Sequence, residues 1–280
     1  MTKPSTLKWH GGKSYLAKTI VANMPAHNRY CETHFGGGAV LFERDGEGVA
    51  EFVNDINRDL TNFWDVLRLW AKFVQFKQVC EASPFSDELF AACRTRLERP
   101  WKSPAAPASL DDVIERAHAF FVVNRQSRQG LGKCFATPTS RTRRGMNENV
   151  SAWLTAIEGL PEVHARLRRV EIRNQDALAF IAELDGDKTF FYVDPPYLHA
   201  TRHKSATNAY QHEMSEADHA KLLDLLATID GKFMLSGYPS EMYERHAAHH
   251  GWRCIEVEID NKSSGVKVKE KKTECLWMNY

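Results

Sequence analysis

The sequence predicts an α/β fold in which a sheet flanked by helices carries an inserted, mostly helical domain. Three observations predict it. Short apolar strands alternate with helical stretches at both ends of the chain, over residues 29–73 and again from 170 onward. Between them, helical stretches flank a Pro/Ala/Ser-rich linker at 100–109, followed by a basic segment with little periodicity. A run of three glycines follows the first strand, where Rossmann-like sheets place a ligand. The sheet domain is therefore assigned to residues 1–59 and 168–280, and the insertion to 60–167.

The elements follow in order. Residues 14–24 have helical character and stop before Pro25; residues 29–33 form a short strand running into His34-Phe35-Gly36-Gly37-Gly38, with a helix from about Ala39. A second strand, 48–53, ends in Asn54-Asp55, and 57–73 has apolar residues at helical spacing. The insertion carries helices over 87–97 and 110–124. The α/β pattern then resumes with strand 170–173, helix 177–184, strand 189–193, helix 215–229, strand 232–236 and a helix from Ser240. Strands over 252–259 and 273–279 close the sheet, and no internal repeat is visible.

Composition excludes several classes. The 280 residues are 43% hydrophobic, enough for a substantial core. No stretch approaches the ~18 apolar residues of a membrane span and no leader-like run opens the chain, so a cytoplasmic protein without membrane attachment is expected. The six cysteines have no Cys-x-x-Cys spacing, which argues against a metal site and against a disulfide framework. Net charge is +1, but its distribution is uneven. Residues 122–147 hold Arg125, Arg128, Lys133, Arg141, Arg143 and Arg144 with no acid, among Gly, Ser, Thr and Gln, a pattern suited to phosphate contact. A second basic run includes Lys262, Lys267, Lys269, Lys271 and Lys272; a solvated face accounts for it equally well.

Three motifs carry chemistry. In Asp194-Pro195-Pro196-Tyr197 a buried apolar strand delivers an acid at its carboxyl end. The prolines fix φ and remove two backbone donors, leaving rigid carbonyl acceptors. Asp194 and the Pro195 carbonyl are thus placed to accept both hydrogens of one amino group, with the Tyr197 face available to a planar base. In the second motif, Gly36-Gly37-Gly38 allows close backbone approach of a ligand, and Asp55, 17 residues after Gly38, suits a ribose. A dinucleotide fold stays open at this point, although Leu41 stands where its glycine pattern needs Gly or Ala. The third, Lys8-Trp9-His10-Gly11-Gly12-Lys13-Ser14, fails as a phosphate-binding loop because Leu7 replaces the first glycine. An aromatic, a flexible turn and a lysine fit the ends of a small ligand.

Taken in this order, the motifs resemble the Dam-type, or alpha-group, DNA adenine N6-methyltransferases, in which Lys-Trp-x-Gly-Gly-Lys comes first and a target-recognition domain separates cofactor from catalytic motifs. The resemblance covers residues 7–280 and rests on Lys8-Trp9 with Gly11-Gly12-Lys13, Glu32 and the glycine turn, Asn54-Asp55-x-Asn57, Asp176, and Asp194-Pro195-Pro196-Tyr197. It implies an S-adenosylmethionine-dependent methyltransferase sheet. Trp9 and Lys13 would border that cofactor, Phe35-Gly36-Gly37-Gly38 would hold its methionine portion, Asp55 its ribose, and Asp176 its adenine amino group. Asp194, with Pro195, Pro196 and Tyr197, would hold the target adenine of double-stranded DNA beside the cofactor. Lys8, Asn124, Arg125, Arg128, Lys133, Arg141, Arg143 and Arg144 are the candidate DNA contacts. Two departures stand out. Where the family has Glu-Pro-Phe, this chain has Glu32-Thr33-His34, which puts His34 near the reacting methyl; and Gln126-Ser127-Arg128-Gln129 departs from the usual loop, so the recognised sequence is not specified. N4-cytosine or RNA adenine methylation, and a catalytically silent DNA-binding relative, are the alternatives.

Overall fold

The computed structural model describes residues 6–101, 109–137, 140–201, 212–260 and 271–280. The first part of the chain forms α1 (Ala17–Ala22), β1 (Arg29–Glu32), α2 (Ala39–Glu43), β2 (Ala50–Asn54), α3 (Arg58–Arg68), α4 (Trp70–Glu81), α5 (Asp87–Glu98) and α6 (Leu110–Gln126). A small hairpin, β3 (Thr142–Arg143) and β4 (Met146–Asn147), precedes α7 (Glu148–Glu158) and α8 (Leu160–Leu167). Then come β5 (Val170–Arg173), α9 (Ala177–Leu184), β6 (Thr189–Val193), α10 (Glu216–Leu226), β7 (Lys232–Gly237), α11 (Glu241–His250), β8 (Arg253–Asp260) and β9 (Lys271–Met278). The fold is α/β, and the chain divides into two compact units. A helical unit comprises Met1–Val21, Gly36–Asp45 and Asn57–Asn174; a sheet unit comprises Ala22–Phe35, Gly46–Ile56 and Gln175–Tyr280.

Within the sheet unit the strands run in the order β2-β1-β6-β7-β9-β8. The first four are mutually parallel, and β9 is antiparallel to both β7 and β8. All five residues of β6, Thr-Phe-Phe-Tyr-Val, are buried, as a central parallel strand covered on both faces requires. Phe191 and Val193 pack in one cluster with Phe180 and Ile181 of α9, Leu222 and Leu226 of α10, Phe233 of β7 and Trp277 of β9. Burying each such side chain contributes about 1.5–3 kcal/mol. Helix starts follow from local chemistry. Asp176 caps α9 by accepting from the Leu178 and Ala179 amides, at 2.9 and 3.1 Å, and Ser215 with Asp218 forms a reciprocal capping box on α10.

The core of the helical unit is aromatic: Phe63, Trp64, Phe76, Phe121 and Trp153 are all buried, with Phe63 stacked on Phe121 at 5.6 Å. Three features differ from the sequence expectation. The helix expected over 57–73 breaks at Leu69, whose ψ of 118° is extended. The break leaves Asp65 bonded to Arg68 and Lys72 on either side, both at 2.8 Å, and Phe73 stacked on His164 of α8 at 4.3 Å. Periodicity does not register it because the apolar spacing continues on both sides. Two further helices, α7 and α8, occupy 148–167, a stretch with no assigned helix. Their signals are the Asn147 cap, whose side chain accepts from the Asn149 amide at 2.9 Å, and Pro161 in the first turn of α8. Finally, the end of the basic segment forms the β3–β4 hairpin, whose two-residue turn Arg144-Gly145 has φ of +55° and +74°, the signature of a type I′ turn. Lys262, Lys267 and Lys269 of the second basic run lie outside the described residues. Among the described residues no helix is long and apolar enough to cross a membrane.

Candidate active site

The sheet unit shows where a ligand belongs. β1 is flanked by β2 on one side and β6 on the other, and β6 by β7, so the direction of chain progression reverses between β1 and β6. The crevice beyond the carboxyl ends of two such strands is the standard ligand position in open α/β sheets. Glu32 of β1 lies in register with Tyr192 of β6, and the Thr33 amide donates to the Tyr192 carbonyl at 3.1 Å. The two chains therefore leave the sheet side by side, one into His34-Phe35 and the other into Asp194-Pro195-Pro196-Tyr197.

Asn54, at the end of β2, ties the surrounding loops together. Its side chain donates to the Thr33 carbonyl at 3.2 Å and the Gln175 carbonyl at 3.0 Å, and accepts from the Gln175 amide at 3.0 Å. Its own carbonyl accepts from the Phe35 amide at 2.8 Å. One buried amide thus fixes the segments bearing His34, Phe35, Asp55 and Asp176. The motif string contained Asn54, but its spacing gave no sign of this role. Asp55 is half-buried and Asp176 exposed, with one carboxylate oxygen of Asp176 engaged as the helix cap.

In the Asp194-Pro195-Pro196-Tyr197 turn Asp194 is half-buried, while Pro195 and Tyr197 are buried. The Tyr197 hydroxyl donates to the Glu274 carboxylate of β9, and its ring stands edge-on to Tyr238 with centroids 4.8 Å apart. Burial, then the neighbouring Asp194 and Glu274 charges, push the Tyr197 phenol well above its usual range, so it remains a protonated donor. Glu274 was invisible to motif reasoning. The available signal was an acid immediately before the apolar run Cys275-Leu276-Trp277-Met278 of β9, where charged residues are seldom fully buried without partners.

His34 replaces an aromatic and its charge state matters. Burial, helped by nearby His219 and opposed by Asp176, pushes it down to about 4, and its Nδ1 lies 2.8 Å from the Thr33 hydroxyl. It is therefore a neutral ring at physiological pH. His118, held by Ser83 in the helical unit, is likewise pushed down to about 4 by burial. An unfolded histidine titrates near ~6.5. Between that value and about 4 the unfolded chain binds these two protons and the folded chain does not, so stability should fall as pH drops through this window. Melting curves from pH 7 to 4 measure it. Replacing both histidines with Phe should flatten the slope; an unaltered slope would show that neither contributes.

In the helical unit, Trp9 lies against the glycine turn. A Cβ on Gly36, whose φ is +50°, would sit 2.4 Å from the indole nitrogen of Trp9, and one on Gly37 2.8 Å from the Trp9 Cβ. The turn has no room for side chains, and the Trp64 indole fastens it by donating to the Gly36 carbonyl at 3.1 Å. Gly38, also left-handed at φ +71°, caps α2. Lys13 is buried and donates to the Gly11 carbonyl at 2.8 Å.

The candidate DNA contacts of this unit fall into two groups. Lys8 and Asn124 pair reciprocally, the Lys8 amide donating to the Asn124 side chain at 2.8 Å and that side chain returning a bond to the Lys8 carbonyl at 2.9 Å. The Lys8 ammonium donates to the Arg125 carbonyl at 2.7 Å and is pushed down to about 8 by burial and by the Arg125 charge. Buried Arg125 donates to the Ala152 carbonyl at 2.8 Å. Gly130 allows this approach, since a Cβ there would meet the Lys8 carbonyl oxygen at 2.1 Å. In contrast, Arg128, Lys133, Arg141, Arg143 and Arg144 are exposed. Arg144 is held at the hairpin turn by Glu158, at 2.9 and 3.0 Å, and by Thr155 at 3.0 Å.

Comparison with known families decides what this arrangement belongs to. Residues 9–258 match the model of the D12 class N6 adenine-specific DNA methyltransferases. The chain belongs to this family. It is similar, at 23% identity over 98% of both chains, to the type II methyltransferase M.MjaIII of Methanocaldococcus jannaschii. It is 27% identical, over 98% of its length and 94% of the relative, to the type II methyltransferase M1.LlaDCHI of Lactococcus lactis subsp. cremoris. The DNA N-6-adenine-methyltransferase of Escherichia phage P1 is 28% identical over 79% of this chain, which spans 28% of that longer protein. The protein is thus a DNA adenine N6-methyltransferase that takes its methyl group from a donor. Among the described residues no cluster of His, Cys, Asp or Glu is arranged to hold a metal ion.

Proposed function

We propose that this D12-class enzyme transfers the methyl group of S-adenosylmethionine to the amino group of an adenine flipped out of double-stranded DNA, with Asp194, the Pro195 carbonyl and Tyr197 as the residues in contact with the base. The observation that carries this is the emergence of Asp194-Pro195-Pro196-Tyr197 from β6 beside the end of β1, where strand progression reverses. The donor set fits the cofactor. Asp55 supplies acceptors for ribose hydroxyls and Asp176 for an adenine amino group, and the carboxylates of Asp194, Glu32 and Glu274, which all bear on Tyr192, make the surroundings negative. Neutral His34 adds no cation to this set.

When bound, S-adenosylmethionine supplies an electrophilic methyl on a sulfonium centre. The adenine amino group is a weak nucleophile because its lone pair is delocalised into the ring. Asp194 and the Pro195 carbonyl each accept one amino hydrogen, drawing the nitrogen toward tetrahedral geometry and aiming its lone pair outward. The Asp194 carboxylate then stabilises the positive charge that develops on nitrogen and holds the departing proton. Extruding the base costs about a few kcal/mol, which stacking on Tyr197 and phosphate contacts offset.

Exposed Arg128, Lys133, Arg141 and Arg143 supply the phosphate contacts, with Lys8, Asn124 and Arg125 fixing the segment beneath them. Each true contact adds about 0.9 to the log–log salt slope of DNA binding. Arg128→Ala with Arg143→Ala should therefore reduce the slope by about two units; an unchanged slope removes both from the interface. Calorimetric titration with S-adenosylmethionine should show a single site, and failure to bind would favour a silent DNA-binding relative.

A further inference from the structure

We propose that Glu274 is a positioning residue, which sets the orientation of the base-stacking ring through the hydrogen bond it accepts from the Tyr197 hydroxyl. The inference rests on the reading of Tyr197 as the stacking partner of the flipped adenine. Glu274 is fully buried on β9, just beyond the residue paired with the end of β7, where Gly237 lies opposite Cys275. An interior carboxylate is tolerated only when its charge is met by donors, and here Tyr197 reaches it across the sheet from the end of β6. Such a phenol-to-carboxylate bond is of the charge-assisted, strong kind.

The two prolines already fix the backbone before Tyr197, so the freedom left to the site is rotation of the tyrosine side chain. Two contacts remove it. The Glu274 carboxylate holds the far end of the ring, and Tyr238 packs edge-on at 4.8 Å and 74°. Tyr238 is in turn covered by the Lys272 ammonium, 4.9 Å from its ring centroid and two residues before Glu274 on the same strand. β9 thus supplies one support of the ring directly, through Glu274, and backs the other, which follows β7, through Lys272. A ring locked before the base arrives pays no ordering entropy when it binds, so removing the lock should weaken DNA engagement rather than slow the chemical step.

The test uses the full chain and a duplex carrying a site that the protein methylates, with 2-aminopurine in place of the target adenine to report extrusion of the base, alongside steady-state methylation of the adenine duplex. Glu274→Ala and Tyr197→Phe should each raise KM for DNA about tenfold and diminish the fluorescence rise, with kcat and S-adenosylmethionine affinity little changed. Glu274→Gln retains an acceptor for the phenol and should recover most of the loss. The Glu274→Ala/Tyr197→Phe double variant should be no worse than either single one. If Tyr197→Phe has wild-type KM and fluorescence while Tyr197→Ala is impaired, the positioning role is overturned and base stacking stands, whether or not Glu274→Ala folds. If Tyr197→Ala is also unimpaired, the stacking reading itself fails. If Glu274→Gln is as impaired as Glu274→Ala while Tyr197→Phe is not, charge rather than ring orientation is the contribution, and the proposal is overturned.

Discussion

Asp194→Ala is expected to leave S-adenosylmethionine binding within a few-fold of wild type while lowering kcat about 10²–10³-fold, the usual cost of removing one preorganised group from the reacting atoms. Asp194 follows a wholly buried strand whose neighbours fix that strand on both sides. On the mechanism proposed above, its removal would take away one of two amino-hydrogen acceptors and the charge that stabilises the nitrogen, both of which would matter most in the transition state. Asp194→Asn is the sharper variant, since it retains volume and a carbonyl acceptor but no charge, and it should fall between wild type and Ala. A loss confined to KM would place Asp194 in uniform binding instead.

The largest stability effect should come from Arg116→Ala in the helical unit. Arg116 is buried, pairs through two nitrogens with Asp59 in the first turn of α3, and donates to the Arg99 and Leu97 carbonyls at 2.7 and 3.2 Å. Its guanidinium carbon also lies 4.6 Å from the Trp101 ring centroid. Truncation strands the Asp59 carboxylate in a half-buried setting and two carbonyls without this donor, for which about 3–5 kcal/mol is expected. Urea unfolding should show a lower midpoint at unchanged m-value. The Asp59→Leu/Arg116→Met pair, which removes both charges, should recover a large part of the loss. A single variant with wild-type stability would show that the pair barely offsets its own desolvation.

Much of this was legible in the sequence because it is written in local patterns. The β6 string and its acid-Pro-Pro-Tyr turn declare a buried parallel strand and its ligand-facing end within nine residues, and capping residues such as Ser215 and Asp176 mark helix starts. What escaped depends on residues far apart in the chain. Glu274 meets Tyr197 across 77 positions, and Lys8 meets Asn124 across 116. Neither pairing has a spacing rule. The basic segment illustrates the same limit: its charges were plain, but Arg144 is committed to Glu158 by a turn with two positive φ angles, while Arg143 beside it stays exposed. Charge counting alone cannot separate these fates.

The most direct test of the central claim is to incubate unmethylated double-stranded DNA with the protein and S-adenosylmethionine, hydrolyse part of it to nucleosides, and map modified bases in the remainder by direct sequencing. N6-methyladenine should be the modified nucleoside, with its rate of formation lowered about 10²–10³-fold by Asp194→Ala. N4-methylcytosine, or unmodified DNA from a protein that binds S-adenosylmethionine, would contradict it.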